Sequence, residues 1–374
     1  MKTGLVLSGG GARGAYQVGV LKAIADLHPK HTSNPFNVIT GTSAGAINAV
    51  ALAASANNFR LGVKKVEKIW NTLHIQRVAK VRGRDLALQA VKLGCSFVHP
   101  RCAKDKPLAL LDSSPLRDLL STSIRFENIQ QRIKAGQLDA VSVTATSYAS
   151  GNSVTFFEGL PELTSWRRAK RLGIPAKLSA EHLLASSAIP SIFPAEKIGR
   201  QYFGDGSLRQ LAPLSSAIRL GAERIVVVGV SGRNTTRLSL RRDHPPSMAQ
   251  TLGHIFSSAF IDTFENDINN VTQINEMLGI LANEAPDFSP EAVKSLDLLV
   301  IKPSIDLDDL AAQHLNDLPS AFRRVLRGLG AGRAGGGNLA SYVMFEAAFC
   351  RELIEQGYRD TMAEEDTVRN FFSL

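Results

Sequence analysis

The stretch Phe36-Asn37-Val38-Ile39-Thr40-Gly41-Thr42-Ser43-Ala44-Gly45-Ala46-Ile47-Asn48-Ala49-Val50 decides the fold. An apolar, β-branched run passes through Gly41-Thr42-Ser43-Ala44-Gly45 into an Ala-rich segment that carries Ile47, Val50 and Leu52. A G-x-S-x-G sequence between a strand and a helix is the pattern of a nucleophile elbow, a sharp turn that lifts one serine to the end of a sheet. Gly41 and Gly45 suit such a turn because side chains there would collide. The helix predicted over Ala44–Ala56 begins at Ser43, where its amides and dipole favour developing negative charge. Ser43 is therefore the candidate nucleophile. A plain tight turn has the same local composition; the strand before and the apolar helix after favour the elbow.

Upstream, Gly9-Gly10-Gly11-Ala12-Arg13-Gly14 follows the apolar run Leu5-Val6-Leu7. Gly9-x-Gly11-x-x-Gly14 also fits a dinucleotide fingerprint, which wants an acidic residue at the end of the next strand to hold the ribose. The next strand ends Ile39-Thr40-Gly41-Thr42-Ser43, with the elbow where that carboxylate belongs. The glycines are read instead as exposing backbone N–H groups to an acyl oxyanion, where each donor contributes about 3–4 kcal/mol to a transition state.

A hydrolytic serine needs a base. The chain has eight histidines, none in an informative context. His244 precedes Pro245-Pro246 in a polar loop, and His254 and His314 sit in helical patterns. Asp205, in Tyr202-Phe203-Gly204-Asp205-Gly206-Ser207, lies between two glycines after a short aromatic strand. Partial burial would raise such a carboxylate from an unperturbed pKa of about 4 toward a useful value. An Asp-Gly pair equally marks a type I′ hairpin turn, and the residues alone leave both readings open.

These motifs resemble the patatin-like phospholipase family, which carries a Gly-rich oxyanion loop, a G-x-S-x-G elbow and a D-G-G or D-G-A motif. Gly9-Gly10-Gly11-Ala12-Arg13-Gly14 matches the first, including a basic residue at Arg13, and Gly41-Thr42-Ser43-Ala44-Gly45 matches the second. Asp205-Gly206-Ser207 matches the third except that Ser207 stands where the family has Gly or Ala. Ala185-Ser186-Ser187-Ala188-Ile189-Pro190 and Leu111-Asp112-Ser113-Ser114-Pro115-Leu116-Arg117 are further family-like blocks. The resemblance implies a Ser43–Asp205 dyad without histidine, an oxyanion hole from the amides of Gly9, Gly10 and Gly11 assisted by Arg13, and no metal or organic cofactor. The implied activity is lipid acyl hydrolysis of the phospholipase A or lysophospholipase kind through an acyl-Ser43 intermediate, with a lipid ester as substrate. An acyl transferase or thioesterase using the same nucleophile, and a catalytically silent lipid-binding protein, are the alternatives.

Strand-like runs occur at Gly4–Ser8, Phe36–Thr40, Ala140–Thr146, Ser153–Phe157, Arg200–Phe203, Arg224–Val230 and Leu296–Ile301. Helical patterns occupy Gly14–Leu27, Ala44–Ala56, Leu61–Leu73, Leu178–Ser187, Pro213–Leu220, Met248–Leu281 and Leu339–Gln356. This alternation predicts an α/β fold, a three-layer α/β/α arrangement around a largely parallel sheet, with an antiparallel pair turning at Ser150-Gly151-Asn152. Residues 1–230 form the expected catalytic core, and 231–374 a C-terminal extension packed on the same domain. Gly328–Gly337 reads as a flexible loop with no phosphate role.

No apolar run approaches a transmembrane span, and Met1-Lys2-Thr3-Gly4 leads straight into a functional loop rather than a signal peptide. Cys95, Cys102 and Cys350 offer neither a disulfide framework nor metal spacing. A cytoplasmic protein, peripheral to a membrane at most, is expected. Charge is uneven: Arg77–Lys106 holds eight basic residues against two acidic ones, within a net charge of +9. Val81, Leu86, Leu88, Val91, Leu93, Phe97 and Val98 are interleaved, and a second cluster runs Trp166-Arg167-Arg168-Ala169-Lys170-Arg171. A basic amphipathic stretch fits an anionic membrane surface; a solvated helix face is the plainer reading. No nucleic-acid motif accompanies it.

Overall fold

A computed structural model of the chain describes residues 1–98, 107, 109–232, 245, 247–284, 295–331 and 337–374. The strands are β1 (Thr3–Leu7), β2 (Val38–Thr42), β3 (Ala140–Ser147), β4 (Ser153–Gly159), β5 (Trp166–Arg168), β6 (Arg171–Pro175), β7 (Glu196–Ile198), β8 (Gln201–Asp205), β9 (Arg224–Val228) and β10 (Asp297–Ile301). They form one mixed sheet in the order β10-β9-β1-β2-β3-β4-β6-β5, with β8 pairing β3 and β7 pairing β8. From β10 across to β3 every pairing is parallel.

Side chains alternate across these strands, and each face has its own helices. Leu5, Leu7, Ile39, Val141, Val143, Val226 and Val228 pack on one side with α1 (Ala15–Leu27), α2 (Ala44–Ala53) and α3 (Phe59–Asn71). Val6, Val38, Ala140, Ile225 and Val227 face the other way, onto Leu214 and Ala217 of the helix Leu214–Arg219 and Phe264 and Ile268 of the helix Thr263–Glu284. The protein is thus a three-layer α/β/α fold with helices on both faces of a mostly parallel sheet.

The hairpin between β3 and β4 turns at Gly151, whose φ is +67°. Three differences from the sequence expectations have physical causes. The basic cluster Trp166–Arg171 is a hairpin, β5 and β6, on the outer edge of the sheet. Arg167, Arg168 and Lys170 are exposed there, and edge cations discourage strand addition by other chains. The pattern over Met248–Leu281 is interrupted by a π-helical turn, Ser258–Asp262, between helices Met248–Ser257 and Thr263–Glu284. The pattern over Leu339–Gln356 breaks at Met344–Glu346, between helices Gly337–Val343 and Ala347–Ala363. Glu346 instead bridges to His74, and its carboxylate accepts from His74 Nδ1 at 2.8 Å and from the Ile75 amide at 3.3 Å.

Among the described residues no helix is long and apolar enough to cross a membrane. Arg101, Cys102, Lys104, Lys106, His244 and residues 332–336 of the Gly328–Gly337 stretch lie outside the described residues.

Candidate active site

The edge of β3 brings Ser43 and Asp205 together. Parallel β2 runs along that edge until Thr42 pairs with Thr144. Antiparallel β8 approaches along the same edge from the opposite direction until Asp205 pairs with Ala145. The carboxyl ends of β2 and β8 therefore meet head-on at adjacent positions of one strand. Ser43 is the next residue after β2, and its Oγ donates to Asp205 Oδ2 at 2.7 Å across 162 residues of sequence.

Ser43 has φ 55° and ψ −126°, a conformation that costs a non-glycine residue about 1–3 kcal/mol and persists where surroundings enforce it. A Cβ on Gly41 would overlap the Gly45 carbonyl, and one on Gly45 would overlap the Leu7 and Ser8 carbonyls. The elbow is also tied from outside: Ser43 N donates to Ser186 Oγ at 2.8 Å, and Ser186 Oγ donates to Thr144 O at 2.6 Å. Ser186 belongs to the family-like Ala185–Pro190 block, for which the sequence suggested no role.

Asp205 is fully buried. Its Oδ1 accepts from the Ser207 amide at 2.9 Å, its own amide donates to Ala188 O at 2.9 Å, and Thr146 Oγ1 donates to its carbonyl at 2.8 Å. Burial pushes the carboxyl up to about 6, partly offset by the hydrogen bonds from Ser43 and Ser207. The residues therefore form a short register of β8 closing on a 3-10 turn, Gly206–Leu208, rather than a type I′ hairpin. A Cβ on Gly206 would overlap the Thr144 carbonyl, so the turn rests directly on β3.

Gly9, Gly10 and Gly11 are buried at the end of β1, and among the described residues their N–H groups meet no acceptor. Unpaired buried amides are rare and costly, and here three successive ones belong to the loop beside the elbow. A network invisible as a motif holds this loop to α2. Gln17 Nε2 donates to Ser8 O at 2.8 Å, and Asn48 Nδ2 donates to Gly14 O and to Gln17 Oε1, both at 2.9 Å. Trp70 Nε1 from α3 completes it by donating to Asn48 Oδ1 at 2.7 Å. The lone asparagine within an apolar helix was the sequence signal.

Arg13 departs from its expected place. Its amide donates to Gly10 O at 3.2 Å, and its guanidinium donates to Ser341 Oγ and Asp308. Both groups are committed to the protein itself rather than to an oxyanion.

Histidines do not enter the site among the described residues. His182 is buried, caps the helix Ala180–Ser186 with Ser179 and lies edge-on to Phe156; desolvation lowers it to about 4. His314 pairs with Asp317 and Glu352. Among the described residues no group of three or more His, Cys, Asp or Glu side chains is placed to hold a metal.

A cavity of about 560 Å³, counting its solvent-filled mouth, opens beside Ser43. Its walls are mostly apolar, with Ile47, Ile69, Trp70, Leu73, Val78, Leu116, Leu119, Leu120, Ile189, Phe193 and Phe345, and Gly11, Ser43, Ala44 and Ser187 complete the lining. In sequence, Arg77, Lys80, Arg82 and Arg84 are exposed and follow or adjoin the lining residues Leu73 and Val78. Lys80 pairs with Asp112 at 2.9 Å.

The fold is of the α/β class, with helices on both faces of a mostly parallel sheet. The chain belongs to the patatin-like phospholipase family, whose profile matches residues 5–218. It is 27% identical over 209 residues to a cGAMP-activated phospholipase of Pseudomonas aeruginosa, covering 56% of this chain and 53% of that one. The chain thus spans about half the length of that curated relative. Among solved structures, VipD from Legionella pneumophila aligns at a TM-score of 0.38 with 13% identity, over 98% of this chain and 67% of that one. Human GIVD cytosolic phospholipase A2, solved with methyl gamma-linolenyl fluorophosphonate, aligns at 0.36 with 12% identity, over 100% and 59% of the two chains.

Proposed function

We propose that the protein hydrolyses acyl esters of phospholipids or lysophospholipids through a Ser43–Asp205 dyad and an acyl-enzyme. The observation that carries this is the Ser43 Oγ to Asp205 Oδ2 hydrogen bond at the mouth of an apolar cavity. Ser43 Oγ attacks the ester carbonyl as its proton passes to Asp205. The oxyanion accepts from amides of Gly9, Gly10 and Gly11 while the fatty chain lies along Ile47, Leu73 and Leu119. Asp205 returns the proton to the departing alcohol as the C–O bond breaks. A water then loses its proton to Asp205 and attacks acyl-Ser43, and the proton returns to Ser43 as the fatty acid leaves.

The test combines fluorophosphonate labelling with mass spectrometry of mixed phospholipids and glycerides after incubation. The expected result is one adduct, on Ser43, and release of fatty acid from phospholipid. An adduct elsewhere, or capture of the acyl group by an added alcohol or thiol in preference to water, would replace this reading.

The basic stretch is assigned to an anionic membrane surface, because Arg77, Arg82 and Arg84 are exposed and lie within six residues in sequence of Val78, which lines the cavity. Each basic residue near such a surface contributes about 1 kcal/mol, screened by salt. Reversing Arg77, Lys80, Arg82 and Arg84 to Glu is expected to weaken sedimentation with anionic vesicles at low salt at least about tenfold. Turnover of a soluble short-chain ester should be retained. Equal vesicle binding by variant and wild type would show these cations to be a solvated face only.

A further inference from the structure

The oxyanion loop is held from the far end of the chain. Arg13, 3% exposed, lies two residues after Gly11, the last of the three glycines whose amides meet no acceptor among the described residues. Its Nε donates to Ser341 Oγ at 2.9 Å and its guanidinium forms an ion pair with Asp308. Ser341 Oγ in turn donates to Asp308 Oδ1 at 2.8 Å, closing a triangle. The guanidinium also lies over the Tyr342 ring, 4.1 Å from its centroid. Tyr342 is itself fixed between Phe256 and Phe260, with ring centroids at 5.8 and 5.3 Å. Gly11 packs so closely on the Tyr342 carbonyl that no side chain fits between them. Asp308, Ser341 and Tyr342 all lie beyond the family-matched residues 5–218. Their helices, Leu307–Gln313 and Gly337–Val343, pack on each other and the second packs on the turn Gly11–Gly14.

We propose that Asp308 and Ser341 are positioning residues for catalysis: they fix the Arg13 guanidinium, and through it the direction of the Gly9–Gly11 amides. The physical reason is that an oxyanion hole works by preorganisation, so donors free to reorient lose their advantage at the transition state. A loop rich in glycine has no side chains of its own to hold it rigid. Arg13 is the first side chain long enough to reach another element. Its rigid planar fork holds one carboxylate and one hydroxyl in a fixed relative direction, whereas a lysine ammonium offers rotatable donors on a flexible stem. A positional error of about 1 Å costs about 10²-fold in rate, and the ground-state cavity would be untouched. The inference rests on the proposed Ser43 chemistry.

The experiment uses the full chain with a soluble short-chain ester and a fluorophosphonate. Asp308→Asn, Asp308→Glu, Ser341→Ala and Arg13→Lys are compared with wild type. For Asp308→Asn and Ser341→Ala, kcat and the rate of Ser43 phosphonylation should fall together, about 10–100-fold. KM should stay within about twofold, because the acyl cavity is not altered. Asp308→Glu should recover part of the loss, whereas Arg13→Lys should not. Wild-type phosphonylation rates in folded Asp308→Asn and Ser341→Ala, or a rise in KM with unchanged kcat, would overturn the proposal. Ser341→Ala removes only a hydroxyl and decides the question if the Asp308 variants do not fold. A wild-type protein that is neither labelled nor active would instead defeat the Ser43 reading.

Discussion

Asp205→Asn should abolish most turnover and at the same time make the protein more stable. A general base contributes about 10²–10⁴-fold to such a reaction, and the amide cannot take the Ser43 proton. The stability change follows from burial. The folded carboxyl titrates at about 6 against a reference of 3.8, so the native state binds this proton more tightly than the unfolded chain does. Stability is fully present below the unfolded pKa and is lost as pH rises through about 6. Asparagine is neutral throughout and escapes that loss, about 3 kcal/mol at most for such a shift. Melting curves should nearly coincide at about pH 4 and separate by a few degrees above about pH 6, the variant higher. Wild-type kcat/KM should rise with pH through the same window, since only the carboxylate is a base. A variant less stable than wild type at neutral pH, or one retaining activity, would contradict the assignment.

Gly11→Ala is expected to damage both folding and catalysis. Gly11 has φ +56°, and a Cβ there would overlap the backbone carbonyl of Tyr342. Backbone cannot swing aside as a flexible side chain can, so the loop or the helix Gly337–Val343 must shift. A clash of this kind typically costs about 1–3 kcal/mol or more, added to about 1–2 kcal/mol for the left-handed conformation. Displacing the Gly11 amide should remove an oxyanion donor as well, lowering kcat about 10²–10³-fold. Gly199→Ala separates the contributions: Gly199 has φ +60° but nothing within 4 Å of a new Cβ. It should lose about 1–2 kcal/mol and keep its activity. Equal activity loss in both variants, or none in Gly11→Ala, would remove Gly11 from the proposed hole. Guanidinium melts paired with short-chain ester kinetics read both quantities.

The sequence was most legible where local periodicity and function coincide. The elbow, the glycine loop and the strands of the parallel core announce themselves through contiguous residues: an apolar run, then glycine, then a helix. Asp205 was ambiguous because an Asp-Gly pair is defined by what it pairs with, and its partner strand is β3, far away in sequence. Ser186 and Thr144 were illegible for the same reason, since each matters through hydrogen bonds to groups distant in sequence, and Asn48 was marked only by its polarity within an apolar helix. The break at Met344–Glu346 carries no Gly or Pro. It exists because Glu346 and Phe345 find better partners in His74 and the cavity wall than in a continuous helix. Edge strands β5 and β6 were hidden by their own charge, because Arg and Lys at an exposed edge look like a binding patch. Arg13 was read through its motif, and its partners lie in a C-terminal region that carries no motif.

The head-on meeting of β2 and β8 has a consequence for the life of the nascent chain. Ser43 emerges early in synthesis, whereas its partner follows 162 residues later and reaches it only by adding β8 to β3. The loop clamp closes later still, once Asp308 and Ser341 exist. Contacts of such sequence separation form late, because their loop-closure entropy must be met first. An incomplete or truncated chain therefore carries the serine without its base, and a nearly complete one carries both without a rigid oxyanion loop. On the proposed Ser43–Asp205 chemistry, competence to attack an ester waits until the sheet and its C-terminal helices have assembled, so half-made molecules on the ribosome are expected to be chemically silent.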